Sequence, residues 1–423
     1  MPSKSVIKPA LLALNTVLVL PSAHAHERLS AQQLLGKALF FDPALSEPAG
    51  QACAACHSPI AGWTGPDADI NSGGAVYEGA VAGRFGNRKP PSAAYAPFSP
   101  VLSYSADLGG FIGGNFWDGR ATGEKLGNPA ADQAQGPFLN PLEQNLASAA
   151  DLCGKIQSSN FAKSEIGASY RSLFRRAYGK GSLDCTADVQ ATFDRIALAI
   201  AAFEGSPEVS AFSSKFDAYL RGRARLSEQE QLGLALFEGK GKCSACHAST
   251  PSADGTPPLF TDNTFDNAGV PANPENPFYR MPAEFNPAGP AWVDRGLQGF
   301  VETRSDYSVY ATESAGKQRV PTLRNVDQRP EGSFVKAYMH NGVFKDLKTV
   351  VHFYNTRDVL PGCAAIPDPA VGINCWPVPE VSTNVNTAKI GSLGLSADEE
   401  DAIVAFLKTL SDGYRPRRHR HHD

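Results

Sequence analysis

The sequence predicts a mainly α-helical protein of two similar halves, with long loops between its helices. Three observations predict it. The run Cys53-Ala54-Ala55-Cys56-His57 returns as Cys243-Ser244-Ala245-Cys246-His247. A segment of one form precedes each run: Gly36-Lys37-Ala38-Leu39-Phe40 before the first, and Gly233-Leu234-Ala235-Leu236-Phe237 before the second. Each half then closes with an amphipathic segment.

In the first closing segment Phe193, Ile196, Ala197, Ile200 and Phe203 fall on one helical face. In the second, Ile403, Phe406, Leu407 and Leu410 do the same, after a capping box from Ser396 to Glu399. A further helix is expected over Asp346–Tyr354, with Leu347, Val350, Val351 and Tyr354 on its buried stripe and His352 off it. The stretches Ala61–Gly114 and Thr250–Asn325 read as loops. With 39 Gly and 32 Pro in 423 residues such loops are expected, and loops this long are usually functional.

Cys-x-x-Cys-His is the attachment pattern of a c-type haem: two thiols bond the porphyrin edge and the imidazole ligates the iron. A four-thiolate zinc site leaves both histidines unexplained. A thioredoxin-like redox centre needs a βαβ setting, which the surrounding sequence lacks. Two covalent haems follow. Helix, haem motif, loops and closing helix is the layout of a cytochrome c domain. The expected fold is therefore mainly α, as two cytochrome c-like haem domains at residues 26–220 and 221–410, divided near Arg221–Leu226.

Residues 1–25 read as a signal peptide: Lys4 and Lys8, an apolar core at Leu11–Leu20, and the cleavage pattern Ala23-His24-Ala25. Export to the periplasm is expected, starting near His26. No later segment is long and apolar enough to span a membrane. A net charge of −4 gives no reason to expect nucleic acid as a partner. Residues 411–423 form a basic, His-rich tail. The remaining cysteines pair most economically as Cys153–Cys185 and Cys363–Cys375, with free thiols as the alternative.

A haem closed by two strong ligands moves electrons, whereas an open one activates a small molecule. Candidates for a second strong ligand are His26, His340, His352, the tail histidines, Met281, Met339 and several tyrosines. On spacing alone Tyr354 reads as an ordinary core tyrosine with a hydrogen-bonded hydroxyl.

Both haem motifs resemble those of the bacterial dihaem cytochrome c peroxidase superfamily. So do Phe116-Trp117-Asp118-Gly119-Arg120-Ala121, Pro321-Thr322-Leu323-Arg324-Asn325-Val326 and Met339-His340-Asn341-Gly342. The resemblance covers essentially the whole mature chain. It implies haem attachment at Cys53, Cys56, Cys243 and Cys246, with His57 and His247 on the irons. In the family's ordinary peroxidases, methionine stands where this chain has Tyr354. Tyrosine there resembles the MauG/MbnH-type branch and implies that Tyr354 ligates the second iron.

No histidine lies between His57 and His247, so the first haem is expected to be open to peroxide. The resemblance further implies Glu143 as proton carrier, Gln133 as orienter of peroxide, Pro137 as a distal wall and Trp117 as a bridge between the haems. The stretch from Trp117 to Gln133 is about six residues longer than the family's usual spacing. A calcium ion is also implied, at the carbonyls of Val335 and Ala337. The family's asparagine ligand aligns with Lys89, which leaves Asn87 as a substitute.

The expected function is use of H2O2 to form a bis-Fe(IV) state that oxidises a residue on a partner protein. By the resemblance that residue is a tryptophan, converted in one branch to kynurenine on a small copper-binding periplasmic protein (MbnP-like). The alternatives are peroxide detoxification fed by a small electron-transfer protein, and a non-catalytic dihaem electron-transfer cytochrome.

Overall fold

The computed structural model describes residues 29–416. The expected signal peptide, His26 and the tail histidines lie outside the described residues. The fold is mainly α, as expected. Six of its helices position the site: α1 (Ala31–Phe41), α2 (Pro129–Leu139), α3 (Val189–Glu204), α4 (Glu228–Glu238), α5 (Leu347–Thr356) and α6 (Ala397–Lys408).

Local chemistry sets where these helices begin. Ser30, Ser227 and Ser396 form capping boxes with Gln33, Glu230 and Glu399. Asn128, Asp188 and Asp346 cap α2, α3 and α5 with their side chains.

The internal repeat is a repeated helix crossing. In the first half α1 packs on α3. A Cβ on Gly36 would lie 1.8 Å from the carbonyl oxygen of Ala199. In the second half α4 packs on α6, and a Cβ on Gly233 would lie 1.9 Å from the carbonyl oxygen of Ala402. One turn on, Phe40 meets Phe203 at 5.6 Å between ring centroids and Phe237 meets Phe406 at 5.2 Å. Glycine lets the two backbones touch, and the phenylalanines fill the space where the helices diverge.

Two apolar cores follow from the two crossings. One is built from residues between Leu35 and Val209, the other from residues between Phe216 and Leu410. A smaller cluster of Leu102, Phe111, Phe265, Leu297 and Val301 joins segments of both halves. Cys153 pairs with Cys185 and Cys363 with Cys375.

The loop stretches are more regular than the sequence reading expects. Strand β1 (Ser103–Ser105) pairs antiparallel with β2 (Gly110–Ile112), placing Tyr104 opposite Phe111. Strand β3 (Phe265–Asp266) pairs with β4 (Gln318–Arg319). Strands of two or three residues are too short to write a period-two pattern into the sequence.

Candidate active site

Each Cys-x-x-Cys-His run folds as a single 3-10 turn. His57 N–H donates to the carbonyl of Cys53 at 3.0 Å, and His247 N–H to that of Cys243 at 2.9 Å. The turn brings two thiols and an imidazole to one cavity wall. All four thiols are free, unlike the other four cysteines. Both runs line a single cavity of about 620 Å³ that reaches from one half into the other.

The histidines are set as metal ligands. His57 Nδ1 meets the carbonyl of Pro91 at 2.9 Å, and His247 Nδ1 meets that of Phe260 at 2.8 Å. A carbonyl accepts only, so Nδ1 carries the proton and the lone pair is on Nε2. Burial lowers the His57 pKa to about 4 and lowers that of His247, keeping both rings neutral.

The cavity fits haem in its remaining polarity. Buried atoms of Gln318 (Nε2 and Oε1), Arg319 (Nε) and His340 (Nε2) have no hydrogen-bond partner, and all three residues line the cavity. Orphaned polar atoms of this kind are rare in a finished core. The Gln318 and Arg319 N–H groups suit the acidic substituents of a porphyrin. Burial brings the Arg319 guanidinium down to about 10, a cost that an incoming carboxylate would offset.

Gln133 and Pro137 lie one turn apart on α2, and both line the first-half part of the cavity. Glu143 follows the helix. Its N–H donates to the carbonyl of Asn140 at 3.0 Å, and its carbonyl accepts from Ala80 N–H at 2.7 Å. Burial raises the Glu143 carboxyl above its ordinary range, while Arg120 pulls the other way. A carboxyl so poised can both accept and return a proton.

Trp117 is presented by a tight loop closed by Asn115 N–H on the carbonyl of Ala121 at 2.9 Å. It is 9 % exposed, and its indole N–H donates to the carbonyl of Lys89 at 2.9 Å. Beside it Arg88 bridges Asp118 and Asp294, each at 2.6 Å, tying the two halves together.

The cavity sorts the possible second ligands. Tyr354, Met339 and His340 line it, whereas Met281 and His352 do not. His352 Nδ1 instead meets Glu400 at 2.9 Å. Tyr354 lies among Val350, Val351, Cys243 and Cys246, and its hydroxyl has no hydrogen-bond partner among the described residues. An ordinary core tyrosine would have one. Burial raises its pKa.

The residues expected to hold calcium do not fit that ion. The carbonyl of Val335, one of the two expected carbonyl ligands, accepts the Asn71 amide at 3.1 Å. Lys89 stands at the position expected for an asparagine ligand, and its ammonium is buried. Among the described residues no cluster of three or more His, Cys, Asp or Glu side chains is placed to hold a metal.

The sequence reading missed Glu204, Gln318 and Arg319. Glu204 is 4 % exposed at the end of α3 and lines the cavity near Cys53; burial raises its pKa to about 8. Its only sequence signal is a carboxylate ending an otherwise apolar helical run.

The family model of the di-haem cytochrome c peroxidases matches residues 30–225. The chain is 34 % identical to the methylamine utilization protein MauG of Paracoccus denitrificans over 96 % of each chain. It belongs to the dihaem cytochrome c peroxidase and MauG family. This family member is also 28 % identical to cytochrome c551 peroxidase of Pseudomonas aeruginosa, over 91 % of this chain and 80 % of that one. Its fold matches the dihaem peroxidase BthA of Burkholderia thailandensis with a TM-score of 0.70 and 31 % identity, covering 91 % and 87 % of the two chains. It is thus a haem oxidoreductase of a family that carries two haems c.

Proposed function

We propose that this family member uses hydrogen peroxide to withdraw two electrons from a tryptophan on an exported partner protein. The observation that carries the reading is Tyr354, a half-buried tyrosine that lines the cavity beside the second haem motif and whose hydroxyl has no hydrogen-bond partner among the described residues. Phenolate oxygen at that position favours high iron oxidation states. The methionine of the ordinary peroxidases favours reduced iron and turnover with a small electron donor.

In this reading residues 26–220 hold the peroxide-facing haem through Cys53, Cys56 and His57. Residues 221–410 hold the second through Cys243, Cys246, His247 and Tyr354. The bound haems supply the iron from which peroxide takes its electrons. Gln133 orients the peroxide, and Pro137 narrows the space above it. Glu143 accepts the proton of the proximal peroxide oxygen and returns it to the departing one. Reduction of H2O2 to two waters consumes two electrons and two protons. Trp117 carries electron density across the seam, its N–H fixed on Lys89. The partner tryptophan supplies both electrons in the end.

Covalent haem attachment takes place outside the bacterial cytoplasm, so in this reading the protein works in the periplasm. The test is peroxide-dependent incubation of the haem-loaded protein with its cell's exported proteins, read by mass spectrometry. Tryptophan oxidation that needs both peroxide and this protein is the expected result. Peroxide consumed by a small electron-donor protein, with every tryptophan intact, would instead make it a detoxifying peroxidase.

A further inference from the structure

The seam between the halves holds an unusual set of buried lysines. Lys336 is 4 % exposed and Lys89 9 %. The Lys336 ammonium donates to the carbonyls of Ala61 at 2.8 Å, Asn325 at 3.0 Å and Gln328 at 2.9 Å. The first lies in one half, the other two in the other. The Lys89 ammonium donates to Thr64 Oγ1 at 3.1 Å and to the carbonyl of Pro90 at 3.0 Å. The half-buried Lys345 donates across the same seam to the carbonyls of Asn71 at 2.8 Å and Gly73 at 2.5 Å, and within its own half to that of Gly342 at 2.7 Å. None of the three forms a salt bridge among the described residues.

A ring of carbonyl and hydroxyl oxygens is the surrounding a hard cation takes. Here the cations belong to the chain. Burial and the neighbouring Lys89 lower the pKa of Lys336, and burial lowers that of Lys89 to about 8. Geometry decides the protonation of Lys336. Three acceptor carbonyls need three N–H donors, and only the ammonium has three. A neutral amine would turn its lone pair on a carbonyl.

The backbone of Lys89 links this charge to the redox path. Its carbonyl accepts the Trp117 indole N–H at 2.9 Å, and its own N–H donates to the carbonyl of His340 at 2.9 Å.

We infer that Lys89 and Lys336, with Lys345, supply the positive charge that a calcium ion gives at this seam in the family, so that this member joins its halves and fixes Trp117 without a metal. The cation is covalently part of the chain and no chelator can remove it.

The experiment uses the haem-loaded full chain. Calcium is measured by mass spectrometry after dialysis against EGTA. Absorption spectrum, melting temperature and rate of the peroxide reaction are compared with and without EGTA and with added calcium. Substoichiometric calcium and no change in any readout are expected. About one calcium per chain, removed by EGTA with a change in spectrum, would overturn the inference. Lys89→Asn removes one charge and restores an oxygen donor. Its melting temperature is expected to rise on adding calcium; the same melting temperature with and without calcium would contradict the place assigned to Lys89.

Discussion

Trp117 donates its indole N–H to the backbone carbonyl of Lys89 at 2.9 Å. The bond fixes the ring in the wall of a cavity that reaches both haem motifs, and its centroid is 6.4 Å from that of His340. Trp117→Phe keeps an aromatic ring but loses the hydrogen bond and the easily oxidised indole. Oxidation of the partner should fall at least about tenfold, equal to ~1.4 kcal/mol on the barrier. Stopped-flow spectra should still record the first peroxide reaction near its normal rate. An equal loss in both steps would mean that Trp117 only supports the fold.

Glu143 is assigned the proton transfer. Glu143→Gln should slow the peroxide step by about 10²–10⁴ and leave the resting spectrum little changed. Burial raises the wild-type carboxyl, and only its ionised form accepts a proton. The rate should therefore rise with pH through a range above that of an ordinary glutamate, and the Gln variant should lose this limb. Rates measured against pH for both proteins check it.

Glu204 predicts an effect on stability. Its pKa is raised by burial to about 8, against about 4.3 unfolded. Between these values the native state binds a proton that the unfolded state does not. Stability thus falls as pH rises across that window. Glu204→Gln should flatten this slope and melt higher than wild type at pH 7. Melting curves from pH 5 to about 8 would show it.

The two helix crossings give a matched pair of variants. Gly36→Ala and Gly233→Ala each push a methyl onto a backbone carbonyl that cannot swing away. Each should cost at least about 1–3 kcal/mol, read as a lower midpoint in denaturant. The equal geometry predicts similar losses in the two halves.

Much of this was legible because it is local. The two haem motifs, the glycine-led segments before them and the Ser396–Glu399 capping box are each set within a few residues, and the structure forms each as read. The seam was not legible. Lys336 reads as a surface lysine until Ala61, 275 positions away, is found at its ammonium. Arg319 and Gln318 carry no pattern, because their orphaned atoms become meaningful only around a cavity. The surroundings of the expected calcium position were hidden for the same reason: Asn71 reaches the carbonyl of Val335 from 264 positions away.

The central claim is that the first haem meets peroxide unaided while Tyr354 lets the second hold an oxidising equivalent for a protein substrate. One equivalent of H2O2 added to the fully oxidised, haem-loaded protein tests it, with Tyr354→Met alongside and Mössbauer spectra of frozen samples as readout. Wild type should react without prior reduction and give an oxidised form that persists; Tyr354→Met should keep both haems but lose that persistence. No reaction until an electron is added, or the same persistence in the variant, would contradict the account.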